Sequence, residues 1–402
     1  MTKWIILLGD GMSDEACEAL NGKTPLEAAI TPHLDWFSQN GNVGRMNTVP
    51  ETLPPGSDVA NMGILGFDPQ HFYTGRGPIE AAAMGIRVPN NAVIFRCNFV
   101  TIDDNTMTDF TSGHINNDDS HALIDELNDR FQSDTVCFYP GVGYRHIVSL
   151  SEQFNQLETT PPHDIIGQPV TPFLPKGTHE AQLHQFMDQC HQVLKNSDIN
   201  RRRIRNGKRP ATHIWTWSQG RYPSLPSFHE RFGLSGGIVT AVDLLKGLAQ
   251  LTGLVAPNIH GATGFVDTNY KNKMNAAFQI LEDHDYCYVH IEAPDECGHM
   301  GDAILKTKAI EDFDREVCGP IKSYCSQNKD TIVCILPDHP TPCRLKTHSR
   351  DSVPFITYSP RQSASHSAKR YTEQFATETG LFYPAVWDFV SGLIKQSSIL
   401  PR

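Results

Sequence analysis

Three short apolar runs in this chain each end in acidic or histidine residues. They are WIILLGD at 4–10, DYCYVHIEA at 285–293 and DTIVCILPDH at 330–339. Such runs are typical of buried parallel strands, and stretches with helical spacing lie between them. This alternation predicts an open α/β sheet flanked by helices. In such sheets ligands bind outside the carboxyl ends of the strands, so the polar residues at the run ends are the first candidates for a functional site.

The middle of the chain follows a different pattern. Between Val88 and Leu225 it has apolar runs of its own and a proline-rich stretch, TTPPHDIIGQPVTPFLP. We therefore expect a second, α+β domain at 88–225, inserted into a core domain formed by 1–87 and 226–402. An inserted domain has two linkers, which allow a hinge, and a cleft between domains is a natural place for a substrate. The basic run from Arg201 to Arg209 is interpreted as a solvated turn of the inserted domain.

The bulk composition excludes several classes of protein. The chain has 402 residues, of which 39% are hydrophobic and 20% charged, as in soluble globular proteins. A net charge of −11 argues against a nucleic-acid or membrane partner. The apolar run near the N-terminus is too short for a signal peptide, and no stretch approaches the ~20 apolar residues of a membrane span. Ten cysteines without a CxxC pair indicate reduced thiols and a cytoplasmic protein.

Seven polar residues in four stretches form a candidate metal centre. Two of them, Asp295 and His299, are four apart, which puts both on one face of a helix, although that spacing is also common on solvated helix faces. Carboxylate oxygens and imidazole nitrogens are common ligands of divalent ions. The set therefore predicts two divalent ions and a phosphoryl transfer by in-line displacement. The seven residues are Asp10, Ser57, Asp295, His299, Asp338, His339 and His348.

Ser57 is the candidate nucleophile of this set. It follows the turn Pro54–Gly56 and precedes a stretch with helical spacing. A serine at a helix start usually caps the first turn. The same position also favours an anion, and a directly bound metal would lower the hydroxyl pKa enough for attack. The residues alone leave the capping and the nucleophilic interpretations open.

Several segments of the chain carry a family resemblance. GDGMSD, PPGSDVANMGILGFDP, YTGRGPIEAAAMGI, GATGFVDTNY, EAPDECGHMGD and PDHPTPCRLKTHS occur in this order between Gly9 and His348. They resemble the archaeal-type 2,3-bisphosphoglycerate-independent phosphoglycerate mutases of the alkaline phosphatase superfamily. The resemblance implies an alkaline-phosphatase-like, mostly parallel sheet flanked by helices. It also implies that 3-phosphoglycerate and 2-phosphoglycerate are interconverted through a phosphoserine at Ser57.

The resemblance further implies a ligand set and a substrate. Two divalent ions (manganese, magnesium or zinc) would be bound, and the substrate would be a small phosphorylated metabolite. A monomer or small homo-oligomer is expected. One ion would be held by Asp10, Ser57, Asp338 and His339, and the other by Asp295, His299 and His348. Arginine and lysine side chains facing the cleft would bind substrate, although each is also typical of a surface cation whose stem covers apolar neighbours. The candidates are Arg76, Arg96, Arg145 and Lys246, together with His114.

One turn departs from the archaeal pattern. Where those mutases have an arginine-rich turn ending in Ala-Gly-Arg-Ile, this chain has DFTSGHI at 109–115. An arginine fork suits a carboxylate or phosphate, and His114 does not replace it bidentately. This turn, together with Pro340, is similar to a bacterial branch proposed to be homoserine kinases. The alternatives are therefore a phosphotransferase that makes O-phosphohomoserine with the same metals, a phosphomonoesterase, and a non-enzymatic metal-binding scaffold.

Overall fold

The protein is described by a computed structural model of residues 2–395, in which the chain divides into two compact units. The first unit contains the residues up to Tyr73 and those from Leu225 onward, and the second is Thr74–Ser224. The second unit begins at Thr74 rather than at Val88, because the helix Arg76–Ala83 packs on strands of that unit.

A seven-stranded sheet forms the centre of the first unit. Strands and helices are numbered along the whole chain, and the strands of this sheet are β1 (Lys3–Gly9), β2 (Asn42–Met46), β8 (Gly236–Val239), β9 (Tyr286–Ile291), β10 (Thr331–Leu336), β11 (Val353–Tyr358) and β12 (Phe382–Tyr383). Their order is β12-β2-β11-β10-β1-β9-β8. Only β11 runs antiparallel to its neighbours. The predicted mostly parallel sheet is confirmed, and the three apolar runs of the sequence lie side by side as β10, β1 and β9.

Helices pack on this sheet and bury its central strands. They are α1 (Pro25–Ala28), α2 (Pro32–Asn40), α3 (Ser57–Ile64), α4 (Pro69–Phe72), α9 (Phe228–Phe232), α10 (Asp243–Thr252), α11 (Tyr270–Asp283), α12 (Ala293–Met300), α13 (Ala303–Phe313), α14 (Gly319–Gln327), α15 (Glu373–Glu378) and α16 (Val386–Lys395). A π-helical turn, Asp314–Cys318, joins α13 to α14. Every residue of β9 and β10 is buried, as expected for parallel strands covered on both faces.

The register of the sheet brings the ends of the predicted strands together. Leu8 of β1 pairs with Leu336 of β10 and with His290 of β9. All three strands run in the same direction, so the residues that follow them emerge at the same edge. This is why segments more than 300 positions apart in the chain contribute to one site.

The second unit is an antiparallel sheet covered by helices, an α+β arrangement. Its strands are β3 (Val93–Asp103), β4 (Thr106–Asp109), β5 (Cys137–Val142), β6 (Arg145–Leu150) and β7 (His213–Gly220), and its helices are α5 (Arg76–Ala83), α6 (Asn117–Phe131), α7 (Glu180–Asn196) and α8 (Asp198–Arg205). The order is β4-β3-β6-β5, with β7 also paired to β3. The unit has a hydrophobic core of its own, which includes Phe95, Leu123, Leu183 and Trp215. Such a core allows the unit to form from its own residues.

The basic run of the second unit differs from its prediction as a solvated turn. Its first half forms α8, and Arg203 is only 2% exposed. The Arg203 guanidinium donates to the Asp119 carboxylate at 2.8 Å and to the Ser112 carbonyl at 2.8 Å. Arg209 pairs with Asp109 at 3.0 Å. The solvated-turn interpretation is wrong because two of these arginines hold the 109–115 turn in place.

None of the helices within residues 2–395 combines the length and the apolar character needed to cross a membrane. All ten cysteines are free thiols, and eight of them are buried. Burial raises the pKa of the Cys97 and Cys287 thiols well above the usual value. These cysteines therefore pack as small apolar residues of the core.

Candidate metal centre

Asp10 follows the last residue of β1 and is almost fully buried. Its backbone N–H donates to the Ile291 carbonyl at 2.9 Å, which fixes the residue at the edge of the sheet. Carboxylate Oδ2 accepts from His290 Nε2 at 2.8 Å, whereas the buried Oδ1 has no hydrogen-bond partner among the described residues. Burial and the nearby carboxylates of Asp338 and Asp295 raise the pKa of Asp10 well above its usual value. A buried, unpaired carboxylate oxygen among other carboxylates fits a bound cation, which would satisfy it.

Asp338 and His339 follow β10 and are fully buried. Asp338 Oδ1 accepts from the backbone N–H of Gly11 at 3.2 Å and of His339 at 3.0 Å. His339 Nε2 lies 3.3 Å from Asp338 Oδ2 and 3.7 Å from Asp10 Oδ1. The imidazole nitrogen and the two carboxylates therefore converge on one point.

Ser57 begins α3, and its hydroxyl makes no capping hydrogen bond, because Gly56 occupies the N-cap position. The hydroxyl Oγ lies instead 3.1 Å from His339 Nε2. One turn later, the Asn61 amide donates to the Ser57 carbonyl at 2.8 Å and to Asp338 Oδ2 at 2.9 Å. The capping interpretation of Ser57 is wrong, and the hydroxyl lies beside the converging ligands.

A second group of ligands lies on α12 and on the segment after β10. His299 Nε2 is 3.2 Å from Asp295 Oδ2, and His348 Nε2 is 3.6 Å from Asp295 Oδ1. The Nδ1 atoms face backbone carbonyls, that of Lys346 at 3.0 Å from His299 and that of Pro55 at 3.3 Å from His348. A carbonyl only accepts, so both Nδ1 atoms carry protons and both Nε2 atoms point into the site.

The two histidines of this second group have pKa values shifted in opposite directions. The hydrogen bond to Asp295 raises the pKa of His299 to about 9. Burial and the neighbouring His339 lower the pKa of His348 to about 4. The two Nε2 atoms are 3.0 Å apart, a distance at which a proton on one of them is hydrogen-bonded to the other. A divalent ion would replace that proton, because metal ligands bind in their deprotonated form.

The seven residues predicted from sequence converge in the first unit. Ligand atoms lie within 4.8 Å of one another in two groups, Asp295–His299–His348 and Asp10–Asp295–His339. Asp338 and Ser57 adjoin the second group. Asp295 belongs to both groups, whereas the family resemblance implies it for one ion only. The mixture of imidazole and carboxylate donors fits divalent manganese or zinc better than an ion that requires oxygen ligands alone.

The predicted substrate residues lie in both units. In the second, Arg76 and Arg96 each donate to the Glu80 carboxylate at 2.8 Å, and the Arg96 guanidinium lies 4.0 Å from the centre of the Trp217 ring. Both arginines and Arg145 lower the pKa of Glu80, although burial opposes this. These residues thus form one basic cluster around a buried carboxylate. His114 is exposed on the 109–115 turn and has φ +48°.

Lys246 belongs to the first unit. It pairs with Asp243 at 3.1 Å and lines a cavity of about 310 Å³ that also contacts Thr240 and His260. Of the four predicted cations, three thus belong to the second unit and one to the first.

Four residues that support the centre were missed from the sequence. His290 fixes Asp10, Asn61 fixes Ser57 and Asp338, and Thr341 contacts both ligand groups. The fully buried Lys306 donates to Asp14 Oδ2 at 2.7 Å and to the carbonyls of Ser13 and Thr341. Of these four, His290 could have been identified from the sequence, because a histidine inside a continuous apolar strand needs a hydrogen-bond partner.

Comparison with known proteins gives a consistent result. A family profile described as 2,3-bisphosphoglycerate-independent phosphoglycerate mutase matches residues 38–200. A protein of Geobacter sulfurreducens named as a probable enzyme of this kind is 45% identical over 94% of this chain and 96% of its own length. The Methanosarcina barkeri enzyme of the same name is 41% identical over 98% of this chain and 99% of its own length.

Two solved structures are similar along the whole chain. A Pyrococcus horikoshii protein has a TM-score of 0.81 at 26% identity, covering 100% of this chain and 99% of its own. A cofactor-independent phosphoglycerate mutase of Thermoplasma acidophilum has a TM-score of 0.67 at 26% identity, covering 98% of this chain and 100% of its own. Both matches extend over nearly the whole of each chain, so this protein shares its fold with the two solved structures.

Proposed function

This chain belongs to the 2,3-bisphosphoglycerate-independent phosphoglycerate mutases, and from that premise we propose that Ser57 and the two ligand groups around it carry the reaction. The enzyme is a metal-dependent phosphotransferase that interconverts 3-phosphoglycerate and 2-phosphoglycerate through a phosphoserine intermediate. The observation that carries the assignment to Ser57 is its hydroxyl, which makes no capping bond and lies 3.1 Å from His339 Nε2. The substrate is a small phosphorylated metabolite. The ten free cysteines support a reducing compartment, and we place the enzyme in the cytoplasm.

The proposed centre holds two divalent ions. Asp10, Ser57, Asp338 and His339 would ligate one, and Asp295, His299 and His348 the other, with Asp295 between them. When bound, such ions neutralise charge on a transferring phosphoryl group and lower the pKa of a coordinated hydroxyl. The unpaired Oδ1 of Asp10 and the inward-facing Nε2 atoms of the histidines support this ligand set.

The reaction needs two displacements at phosphorus. In the first, Ser57 Oγ gives up its proton and forms a bond to the phosphoryl group of 3-phosphoglycerate while the bond to the substrate oxygen breaks, and that oxygen takes up a proton in return. The N-terminus of α3, where Ser57 stands, favours the negative charge of the group. After the glycerate turns in the site, its other hydroxyl attacks phosphoserine, gives up its proton and regenerates Ser57. In this second displacement the bond between phosphorus and Ser57 Oγ breaks while the bond to the glycerate oxygen forms.

We assign substrate binding to the basic cluster of the second unit. Arg76 and Arg96 are held by Glu80, and Arg145 lies nearby, so the cluster presents guanidinium groups suited to a carboxylate or a phosphate. Lys246 and His114 remain further candidates. Arg96 is packed on Trp217, and its fork is fixed before any ligand arrives.

Replacing Arg96 tests this assignment. Arg96→Lys keeps the charge but loses the fork and the ring contact, so we expect KM for 3-phosphoglycerate to rise by at least about tenfold. The measurement is steady-state kinetics coupled to enolase, with Arg205→Lys on the exposed face of α8 as the matched control. A KM equal to that of the control would remove Arg96 from the substrate site.

The experiment for the whole proposal is a phosphorus NMR time course of the manganese-loaded enzyme with 3-phosphoglycerate and no ATP. We expect 2-phosphoglycerate to appear without release of inorganic phosphate. Accumulation of inorganic phosphate would indicate a phosphomonoesterase. An unchanged spectrum that responds only to ATP plus homoserine would indicate the kinase.

A further inference from the structure

The three histidines of the centre are held in different ways. His299 and His348 direct Nδ1 to backbone carbonyls, which fixes their protons there. His339 directs Nδ1 to the Thr341 hydroxyl, at 3.2 Å. A hydroxyl both donates and accepts, so by itself it does not decide which nitrogen of His339 carries the proton.

The second contact of the Thr341 hydroxyl decides which nitrogen of His339 carries the proton. The hydroxyl donates its only proton to Asp295 Oδ1. A carboxylate oxygen accepts in such a contact, so the hydroxyl is its donor. With its proton committed, Thr341 accepts from His339 Nδ1–H, and His339 Nε2 is left with its lone pair in the site.

The backbone around Thr341 is fixed from three sides. Its N–H donates to the Ser13 carbonyl at 3.2 Å, and its carbonyl accepts from the buried Lys306 ammonium at 2.8 Å. On the third side lies Gly298 of α12, where an added Cβ would be only 2.5 Å from the Thr341 carbonyl oxygen. The hydroxyl is thus held between the two ligand groups, in a place where water does not compete.

We propose that Thr341 is a positioning residue whose single hydroxyl sets the tautomer of His339 and orients Asp295, so that both ligand groups are organised together. The inference rests on the proposed roles of His339 and Asp295 as metal ligands. Residues that orient metal ligands in this way typically change metal affinity about 10- to 100-fold when they are removed.

The test compares Thr341→Val, which keeps the shape and loses the hydroxyl, with Thr341→Ser, which keeps the hydroxyl. We expect the valine variant to bind Mn²⁺ about 10- to 100-fold more weakly in competition with a chelator. The serine variant should stay within about threefold of the parent. Equal affinity of the valine variant and the parent, or equal loss in both variants, would overturn the proposal.

A measurement on the parent needs no variant to fold. Long-range ¹H–¹⁵N NMR spectra of the full-length, metal-free protein report which nitrogen of each histidine is protonated, with His339 assigned from its absence in His339→Asn. We expect the Nδ1–H form for His339, and a mixture of forms in Thr341→Val. An Nε2–H form in the parent would overturn the inference whatever the activity. An inactive parent with the Nδ1–H form would overturn the proposed function instead.

Discussion

Ser57→Ala abolishes phosphoglycerate mutase activity, with kcat expected to fall by at least about 10⁴-fold. The reason is that the proposed phosphoserine forms on this hydroxyl, and alanine has no oxygen that could accept the phosphoryl group. The hydroxyl makes no capping bond to α3, so its removal costs the helix little. Activity is measured by coupling to enolase, and the phosphoserine by phosphorus NMR of the denatured protein after incubation with substrate.

The control for this variant is Ser323→Ala, at an exposed serine of α14. Both variants should retain manganese at close to parental stoichiometry, since the six carboxylate and imidazole ligands of the centre remain. If Ser57→Ala kept activity within tenfold of the control, the phosphoserine would have to form elsewhere. If it lost its metal as well as its activity, Ser57 would be needed mainly as a ligand.

Gly11→Ala disrupts the metal centre through the backbone alone. Gly11 has φ +61°, and an added Cβ would lie 2.6 Å from Asp295 Oδ1, 2.6 Å from Thr341 Oγ1 and 2.8 Å from the Asp295 Cα. A main-chain atom cannot move aside as the end of a flexible side chain does, so α12 must shift and take Asp295 with it. Displacing a catalytic group by about 1 Å costs on the order of 10²-fold in rate, and we expect at least that loss.

Gly22→Ala separates the two effects of that substitution. Gly22 has φ +78°, but an added Cβ would meet nothing within 4 Å. It therefore carries only the cost of a left-handed backbone, about 1 kcal/mol, and should leave activity and metal content unchanged. Metal content by elemental analysis and unfolding in urea are measured for both variants. A Gly11→Ala enzyme that matches Gly22→Ala would show that the neighbours of Gly11 yield at little cost.

The ligand residues were predictable because each follows a strand or begins a helix. Asp10 and Asp338 end apolar runs, and a parallel sheet brings such ends together whatever their separation in sequence. The seven predicted residues do converge, and the predicted phosphoglycerate mutase is confirmed by the family. The homoserine-kinase alternative rested on the 109–115 turn together with Pro340, and that turn is held by Arg203 and Arg209 of this chain.

The supporting residues were not predictable in the same way. Thr341 stands two residues after His339, but its role and that of Lys306 depend on contacts with Asp295, Asp14 and Ser13 that only the folded chain creates. The unit boundary at Thr74 is similar. The sequence of α5 does not indicate which unit the helix belongs to. In the structure its Ala81 packs in a buried cluster with Ile94 and Ile147 of the second unit.

The strand order also dictates a sequence of events during synthesis. β1 pairs only with β9 and β10, and β2 only with β11 and β12, so no strand in the first 73 residues has a partner there. The strands of the second unit all lie between Val93 and Gly220, so this unit is synthesised before β9 and β10, the partners of β1. We expect it to fold while β1 is still unpaired. Long-range parallel pairing is slow because the loop must close first. The catalytic ligands, which run from Asp10 to His348, can therefore come together only after β10 and the segment that follows it have been synthesised. We expect a nascent chain interrupted before β10 to carry a folded insert but no active site.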